Sequence, residues 1–393
     1  MAHTRIGADT ELLTADEAAE LLGVQRQTVY AYVSRGQLTR ALKPGSRQSW
    51  FRRTDVEAMA RGDRAQQAGR KAPTNRTEVT AIVDDQLLYR GRDAVELARA
   101  GTFEQAAEWL WRGHDGEPPT WRAVAELPEE VAALPLPAQC LPLDRLKVAT
   151  AGLAAVDTLR YDLSAHAVLA VARSLLDALV RCLPLRGERP EPAGRHSFAT
   201  ALWPRLTSAI ARPKGVRLLD QALVLVADHG LAPSTRAVRL AGSVDADPYS
   251  VVLTGMSVAS GLKHGGSSLA VHGLLDDIGE PANVAAAVSE HLRRSGSLPG
   301  FGQPRYVHAD PRAAFLLDEL LSDSTVDSSR LRIVRDVIEL VRNRNDEHPN
   351  VEFALGALCY AHDMVRGAGE AIFVLGRTAG WIAHAVEEQA GTH

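Results

Sequence analysis

A chain of 393 residues, 46% of them apolar, can bury a sizeable core and has room for more than one domain. Its formal charge of -4 excludes a molecule that is basic throughout, and its longest apolar stretches, such as the one broken by Arg173 and Asp177, fall short of the ~20 residues of a membrane span. The start MAHTRIGADTELL lacks the basic head and apolar run of a signal peptide, and Cys140, Cys182 and Cys359 are scattered without metal-ligand spacing, so a soluble protein of the reducing cytoplasm is expected, with no bound metal.

The first predicted helix opens at Thr14, where Thr14-Ala15-Asp16-Glu17 spells a capping box, and runs to about Leu22. Gly23-Val24 turns the chain, and residues 25–33 read as a second helix with Val29 and Val33 inward and Arg26, Gln27, Thr28 and Tyr30 available outward. This is a helix-turn-helix pattern. The chain then becomes extended and basic through Arg40, Lys43, Arg47, Arg52 and Arg53, and Thr54 to Glu57 caps a further short helix. The layout resembles the small winged helix-turn-helix of MerR and excisionase-type proteins, with Ser46 to Phe51 as the wing. Between Arg26 and Arg76 stand 12 Lys or Arg against 3 Asp or Glu, an excess suited to phosphates and opposite in sign to the rest of the chain. Arg26, Gln27, Thr28, Tyr30, Arg47 and Arg52 are the candidate DNA contacts. A docking or solubilising module is the competing reading. Domain boundaries are expected at 1–62 for this module and 63–76 for a polar linker.

From Thr77 the chain alternates once as a hairpin, with Asp84-Asp85 at its turn, and thereafter the period is helical. Helices are predicted over Ala94 to Ala100, Phe103 to Trp111, Arg145 to Leu159, Ala165 to Cys182, Phe198 to Arg212, Val216 to Asp228 and Ser329 to Arg342, with Trp109 and Trp111 in the core. The fold class is all-α. Within it, His264 sits in the glycine-bearing break Gly261-Leu262-Lys263-His264-Gly265-Gly266, where one helix ends and another begins, so its side chain is expected to face a cleft. His229 follows the predicted end of another helix. Gln303 and Arg312 share the loop GFGQPRYVHADPRA, whose glycines and prolines forbid a helix until Ala313, Glu352 follows His348-Pro349-Asn350-Val351, and Arg377 sits in GRTAGWIAHAVEE. Any one of these residues alone is more often structural than functional.

Together the strings LLYRGRDAVELA, ADHGLAPST, DPYSVVLTGMSVASGLKHGG, PGFGQPRY with DPRA, PNVEFALGAL and GRTAGWIAHAVEEQ resemble the citrate synthase family, in the family's order and across nearly all of residues 77–393. The resemblance implies a helical two-domain dimer, with a large domain over 77–265 and 373–393 and a small one over 266–372. It implies a citrate synthase-type acyltransferase that condenses an acyl-CoA, acetyl-CoA foremost, with oxaloacetate to citrate and CoA, without a cofactor. A carboxylate takes a methyl proton from the thioester, and a donor at the thioester oxygen stabilises the enolate. His264 matches that donor, His229 an oxaloacetate-binding histidine, and Arg312 and Arg377 arginines whose planar forks suit its carboxylates.

Three departures stand against the family pattern. Gln303 replaces the histidine that activates the ketone, and its amide is expected to donate a hydrogen bond but no proton. Glu352 replaces the proton-abstracting aspartate and is one methylene longer. The chain ends at His393 without the family's tail arginine. Lys263 beside His264 is expected to keep that imidazole neutral. The leading expectation is therefore an acyltransferase of weakened or altered activity. The alternative is a metabolite-sensing DNA-binding regulator on a catalytically lapsed fold. The expected partners are oxaloacetate and acyl-CoA, DNA in the second reading, no membrane, and either a second copy or a more complete chain in a hetero-oligomer.

Overall fold

The computed structural model describes residues 12–34, 38, 40–41, 48–57, 59, 76–114, 121, 131, 135–137, 139–187, 197–261 and 265–392. His264, Lys263, Arg47 and nearly all of the linker 63–76 lie outside the described residues, as does most of the stretch leading to the wing. The chain divides into two compact units, Met1–Ala72 and Pro73–His393.

In the first unit Thr14 accepts the amide of Glu17 at 3.3 Å and Glu17 Oε2 accepts the amide of Thr14 at 2.7 Å, the reciprocal cap its sequence predicts. Helix Ala15–Leu22 follows and ends at Gly23, whose φ of 67° reverses the chain into helix Arg26–Ser34. Strand Trp50–Arg52 pairs antiparallel with Leu12–Thr14, and residues 53–57 are helical. Ala18, Val29, Phe51 and Val56 form the core of this unit, while Val33 is only half-buried.

The second unit opens with the hairpin Thr80–Val83 and Gln86–Tyr89, turned by Asp84 and Asp85 at φ 48° and 60° and extended by the short strand Arg92–Asp93. Among the described residues every regular element beyond is a helix. Several helix ends differ from the sequence expectation, and three of them have a visible cause. Phe198–Leu206 stops six residues early because the Thr207 hydroxyl turns to the carbonyls of His362 and Asp363, at 3.0 and 3.1 Å. Pro213 and Pro142 each take the first helical turn, where the missing N–H is no loss, so these helices become Pro213–Val226 and Pro142–Val156. The loop before Arg312 likewise ends early: Asp310 caps Arg312 N at 3.1 Å and the helix begins at Pro311.

The long C-terminal helix Ala368–Thr392 is buried along most of its length and packs on Pro213–Val226, Pro233–Gly242 and Pro248–Ala259. Gly380 makes one of these approaches possible. Its N–H bonds Ala227 O at 3.0 Å, and a Cβ there would lie 2.4 Å from that oxygen. The far end of the same helix fastens the start of the unit: Glu387 accepts the amide of Glu78 at 2.7 Å, and buried Arg239 pairs with Glu387 and Glu388. Among the described residues no helix is long and apolar enough to cross a membrane, and no group of three metal-ligating side chains converges.

Candidate active site

His229 is placed by the hairpin. The Tyr89 hydroxyl lies 3.0–3.2 Å from the carbonyls of Val224, Leu225 and Asp228 and accepts the Asp228 amide at 3.2 Å, so it pins the turn that follows helix Pro213–Val226. Asp228, fully buried, accepts the Thr80 hydroxyl, the Gly230 amide at 3.0 Å and His384 Nε2 at 3.2 Å. Burial works against its charge, yet the His384 and Arg377 charges hold the carboxyl below its usual range. His229 then projects away from this support, and its Nε2 meets the Tyr306 hydroxyl at 2.8 Å. Burial, followed by the charges of Arg312, Arg377 and Arg305, holds the imidazole well below its usual range, so it is neutral at neutral pH.

Two motifs distant in sequence are zipped together beside it. Asn350 N donates to Gly300 O at 2.9 Å, Gly302 N to His348 O at 3.1 Å, and Asn350 Nδ2 to Gly302 O at 2.8 Å. Gly300, at φ 80°, is required because a Cβ would stand 2.7 Å from that of Phe353. The same Asn350 caps helix Val351–Ala361 by accepting the amides of Glu352 and Phe353. Asp310 ties the next piece in: it accepts Val351 N at 3.1 Å and grips Arg312 through Nε and Nη2 at 2.9 and 2.8 Å. The fork that the sequence assigns to a ligand carboxylate is thus closed on one edge by Asp310. Arg312 Nη1 makes no hydrogen bond to a described residue.

Arg377, 1% exposed, gives only its Nε to protein, to Val226 O at 2.6 Å, and lies with its guanidinium carbon 4.6 Å from the Phe373 ring centre. Its two terminal nitrogens have no hydrogen-bond partner among the described residues. Burial, together with the nearby Arg312 charge, pulls its affinity for a proton below the usual arginine range, with Asp228 and Glu352 opposing. A buried guanidinium left this incomplete is costly unless an anion joins it.

Glu352 faces the same two arginines. Burial raises its carboxyl to about 7, against the pull of Arg312 and Arg377. Ser268, through its backbone and its hydroxyl, favours the charged form more weakly than the two arginines do. A carboxyl near neutrality, buried next to two cations, has the properties of a general base.

Gln303 departs from its expectation. Its Oε1 accepts the amides of Arg305 and Tyr306 at 2.6 and 2.8 Å, and its Nε2 donates to Tyr306 O at 3.1 Å. The amide shapes its own loop, because a planar acceptor and donor fit the turn that Pro304 starts. The loop's far side is held by Asp85, which accepts the amides of Val307 and His308 at 2.6 and 3.0 Å and meets His308 Nδ1 at 2.8 Å. His229, Tyr306, Arg312, Arg377 and Glu352 form one electrostatic neighbourhood. Tyr306, Asp310, Asp85 and Ser268 were not among the sequence candidates. Asp85 was visible as a turn residue, and Tyr306 and Asp310 lay inside quoted strings.

The citrate synthase C-terminal domain model matches residues 69–393. The chain belongs to the citrate synthase family. Within the family it is 29% identical over 329 residues to the 2-methylcitrate synthase of Mycobacterium tuberculosis H37Rv, covering 79% of this chain and 84% of that one. It is 26% identical over 335 residues to citrate synthase 2 of Bacillus subtilis, covering 79% and 89%. The citrate synthase structure from Thermotoga maritima superposes with a TM-score of 0.66 at 25% identity, over 79% of this chain and 88% of that one. This citrate synthase family chain carries, in addition, a match to a helix-turn-helix domain over residues 12–64. In that unit Arg26, Gln27 and Arg52 are exposed and Thr28 and Tyr30 half-buried. Arg26 pairs with Asp16 at 3.3 Å, and the guanidinium carbons of Arg26 and Arg40 lie 6.0 and 5.7 Å from the Tyr30 ring centre.

Proposed function

We propose that this protein condenses an acyl-CoA with oxaloacetate and releases CoA. The observation that carries the reading is the buried pair Arg312 and Arg377, with Arg312 Nη1 and both terminal nitrogens of Arg377 unmatched among the described residues, beside a carboxyl raised to about 7. The chamber is complementary to a small dianion, whose carboxylates the arginine forks would grip. Neutral His229 supplies a hydrogen bond without a competing charge. The bound dianion orients its ketone, Glu352 removes a proton from the acyl carbon, and the carbanion adds to the ketone carbon. His264 is assigned the enolate-side donor by its place in the family motif. The related proteins are named citrate synthase and 2-methylcitrate synthase, which differ by one carbon in the acyl group, and acetyl-CoA is the proposed substrate. Incubation with oxaloacetate and equal acetyl-CoA and propionyl-CoA, with product identification by mass, is expected to give citrate in excess. An excess of 2-methylcitrate would reverse the acyl assignment.

A second reading, a ligand-sensing DNA-binding regulator, draws support from the N-terminal unit and its exposed Arg26, Gln27 and Arg52. Binding to duplex DNA is then expected to weaken steeply with salt, and the Arg26→Ala, Arg52→Ala double variant to bind less tightly with a shallower salt slope. Unchanged binding in that variant would contradict the role given to these residues.

A further inference from the structure

We propose that Tyr306 is a further catalytic residue of this chain: its phenol, held against His229, hydrogen-bonds the ketone oxygen of the bound oxo-acid and gives its proton to the alkoxide that forms there. The inference rests on the condensing reaction proposed above and supplies a step that an amide at position 303 does not perform.

Three observations converge on the phenol. First, Gln303 uses its carbonyl and one N–H on the backbone of Arg305 and Tyr306, which folds the loop so that residue 306 turns inward. Its neighbours Arg305 and Val307 are exposed, whereas Tyr306 is 6% exposed. Second, Asp85 reaches across from the hairpin and fixes Val307 and His308, so the loop is secured on both sides of the tyrosine. Third, the phenol ends on His229 Nε2 at 2.8 Å, the rings 5.5 Å apart and tilted by 43°, with the Arg312 guanidinium carbon 6.0 Å from the tyrosine ring centre.

The surroundings suit a proton donor. Burial above all, with Asp310 in support, raises the phenol to about 12, so it carries its proton at neutral pH, while Arg312, Arg305 and Arg377 favour the phenolate once formed. A tertiary alkoxide is a stronger base than phenolate, so the transfer runs downhill. In the tautomer that carries its proton on Nε2, the neutral imidazole of His229 donates to the phenol oxygen, which leaves the single phenolic O–H for the ketone and keeps a donor on the phenolate once it forms.

The step balances. Glu352 takes the proton from the acyl carbon, and that C–H electron pair becomes the new C–C bond to the ketone carbon. The C=O π pair moves to oxygen, which takes the Tyr306 proton. The chain is left with protonated Glu352 and Tyr306 phenolate, at unchanged net charge, and exchange with solvent returns both to their starting states.

Tyr306→Phe removes only the hydroxyl and keeps the ring. The wild type and this variant are compared for oxaloacetate-dependent CoA release from acetyl-CoA, and for oxaloacetate affinity by calorimetry. The expected result is a fall in kcat of about 100-fold or more, with affinity within about tenfold, the scale of one lost hydrogen bond. A variant whose kcat stays within about threefold overturns the assignment, since a proton donor contributes ~100-fold or more. So does one that loses affinity and kcat in the same proportion, which would place Tyr306 in the framework of the site. A wild type that binds oxaloacetate but releases no CoA is a different failure, that of the condensing reaction itself, and takes the catalytic role of Tyr306 with it.

Discussion

Glu352→Gln is expected to lower kcat for CoA release by about 100-fold to 10,000-fold, the usual worth of a general base. Glutamine keeps the shape of the side chain and its place at the start of helix Val351–Ala361, but has no lone pair basic enough to take a carbon-bound proton. In the wild type the group must be ionised to act, so with the carboxyl at about 7 the rate should climb between about pH 6 and 8 and then level. Glu352→Asp shortens the reach, and a misplacement on the order of 1 Å suffices for a ~100-fold loss.

Stability moves the other way. The folded carboxyl titrates at about 7, above its ordinary 4.5, so the fold favours the neutral form. Its contribution is therefore intact below the ordinary value and is lost as pH rises through 7. At pH 8 the buried charge costs the ligand-free protein up to about 3 kcal/mol. Glu352→Gln should melt above the wild type at pH 8 and close to it at pH 5, as a pair of thermal scans will show. A flat pH–rate profile, or a variant less stable at pH 8, would remove Glu352 from the role of base.

Arg377→Met is expected to weaken oxaloacetate binding by about 30-fold to several thousand-fold, the effect of deleting one partner of a desolvated charge pair. Methionine fills similar space beside Phe373 but offers no terminal nitrogens. These nitrogens have no hydrogen-bond partner among the described residues, so the charge is an incompletely matched load on the fold. Its removal should leave the unliganded melting temperature unchanged or higher, against the lost bond to Val226 O. Calorimetry and thermal scans read the two effects separately. Unchanged affinity would exclude Arg377 from the dianion site.

Much of this site was legible in the sequence because the relevant residues carry local signals. Thr14 and Glu17 announce their cap, and the hairpin turn at Asp84-Asp85 is written by two residues that tolerate positive φ. The strings around His229, Arg312, Glu352 and Arg377 single these residues out, and the fold gathers them into one candidate site. What the strings did not show were partners brought in by the fold. Asp310 reads as a helix cap, and does cap, yet it also closes one edge of the Arg312 fork, a double use visible only once Val351 packs against it. Gln303 reads in the sequence as a replacement donor, because its string does not show what the amide meets. Its amide instead satisfies the Arg305 and Tyr306 backbone, and the residue it positions became the better candidate. The helix end at Leu206 shifts for the same reason, since Thr207 answers to carbonyls some 155 positions away.

Oxaloacetate-dependent release of CoA from acetyl-CoA, measured with a thiol reagent on the purified full chain and on Glu352→Gln side by side, is the most direct test of the condensing reaction. The predicted result is release by the wild type that requires oxaloacetate, rises through pH 7 and falls by about 100-fold or more in the variant. Wild-type protein that binds oxaloacetate yet releases no CoA from acetyl-CoA or propionyl-CoA at high enzyme concentration would contradict it.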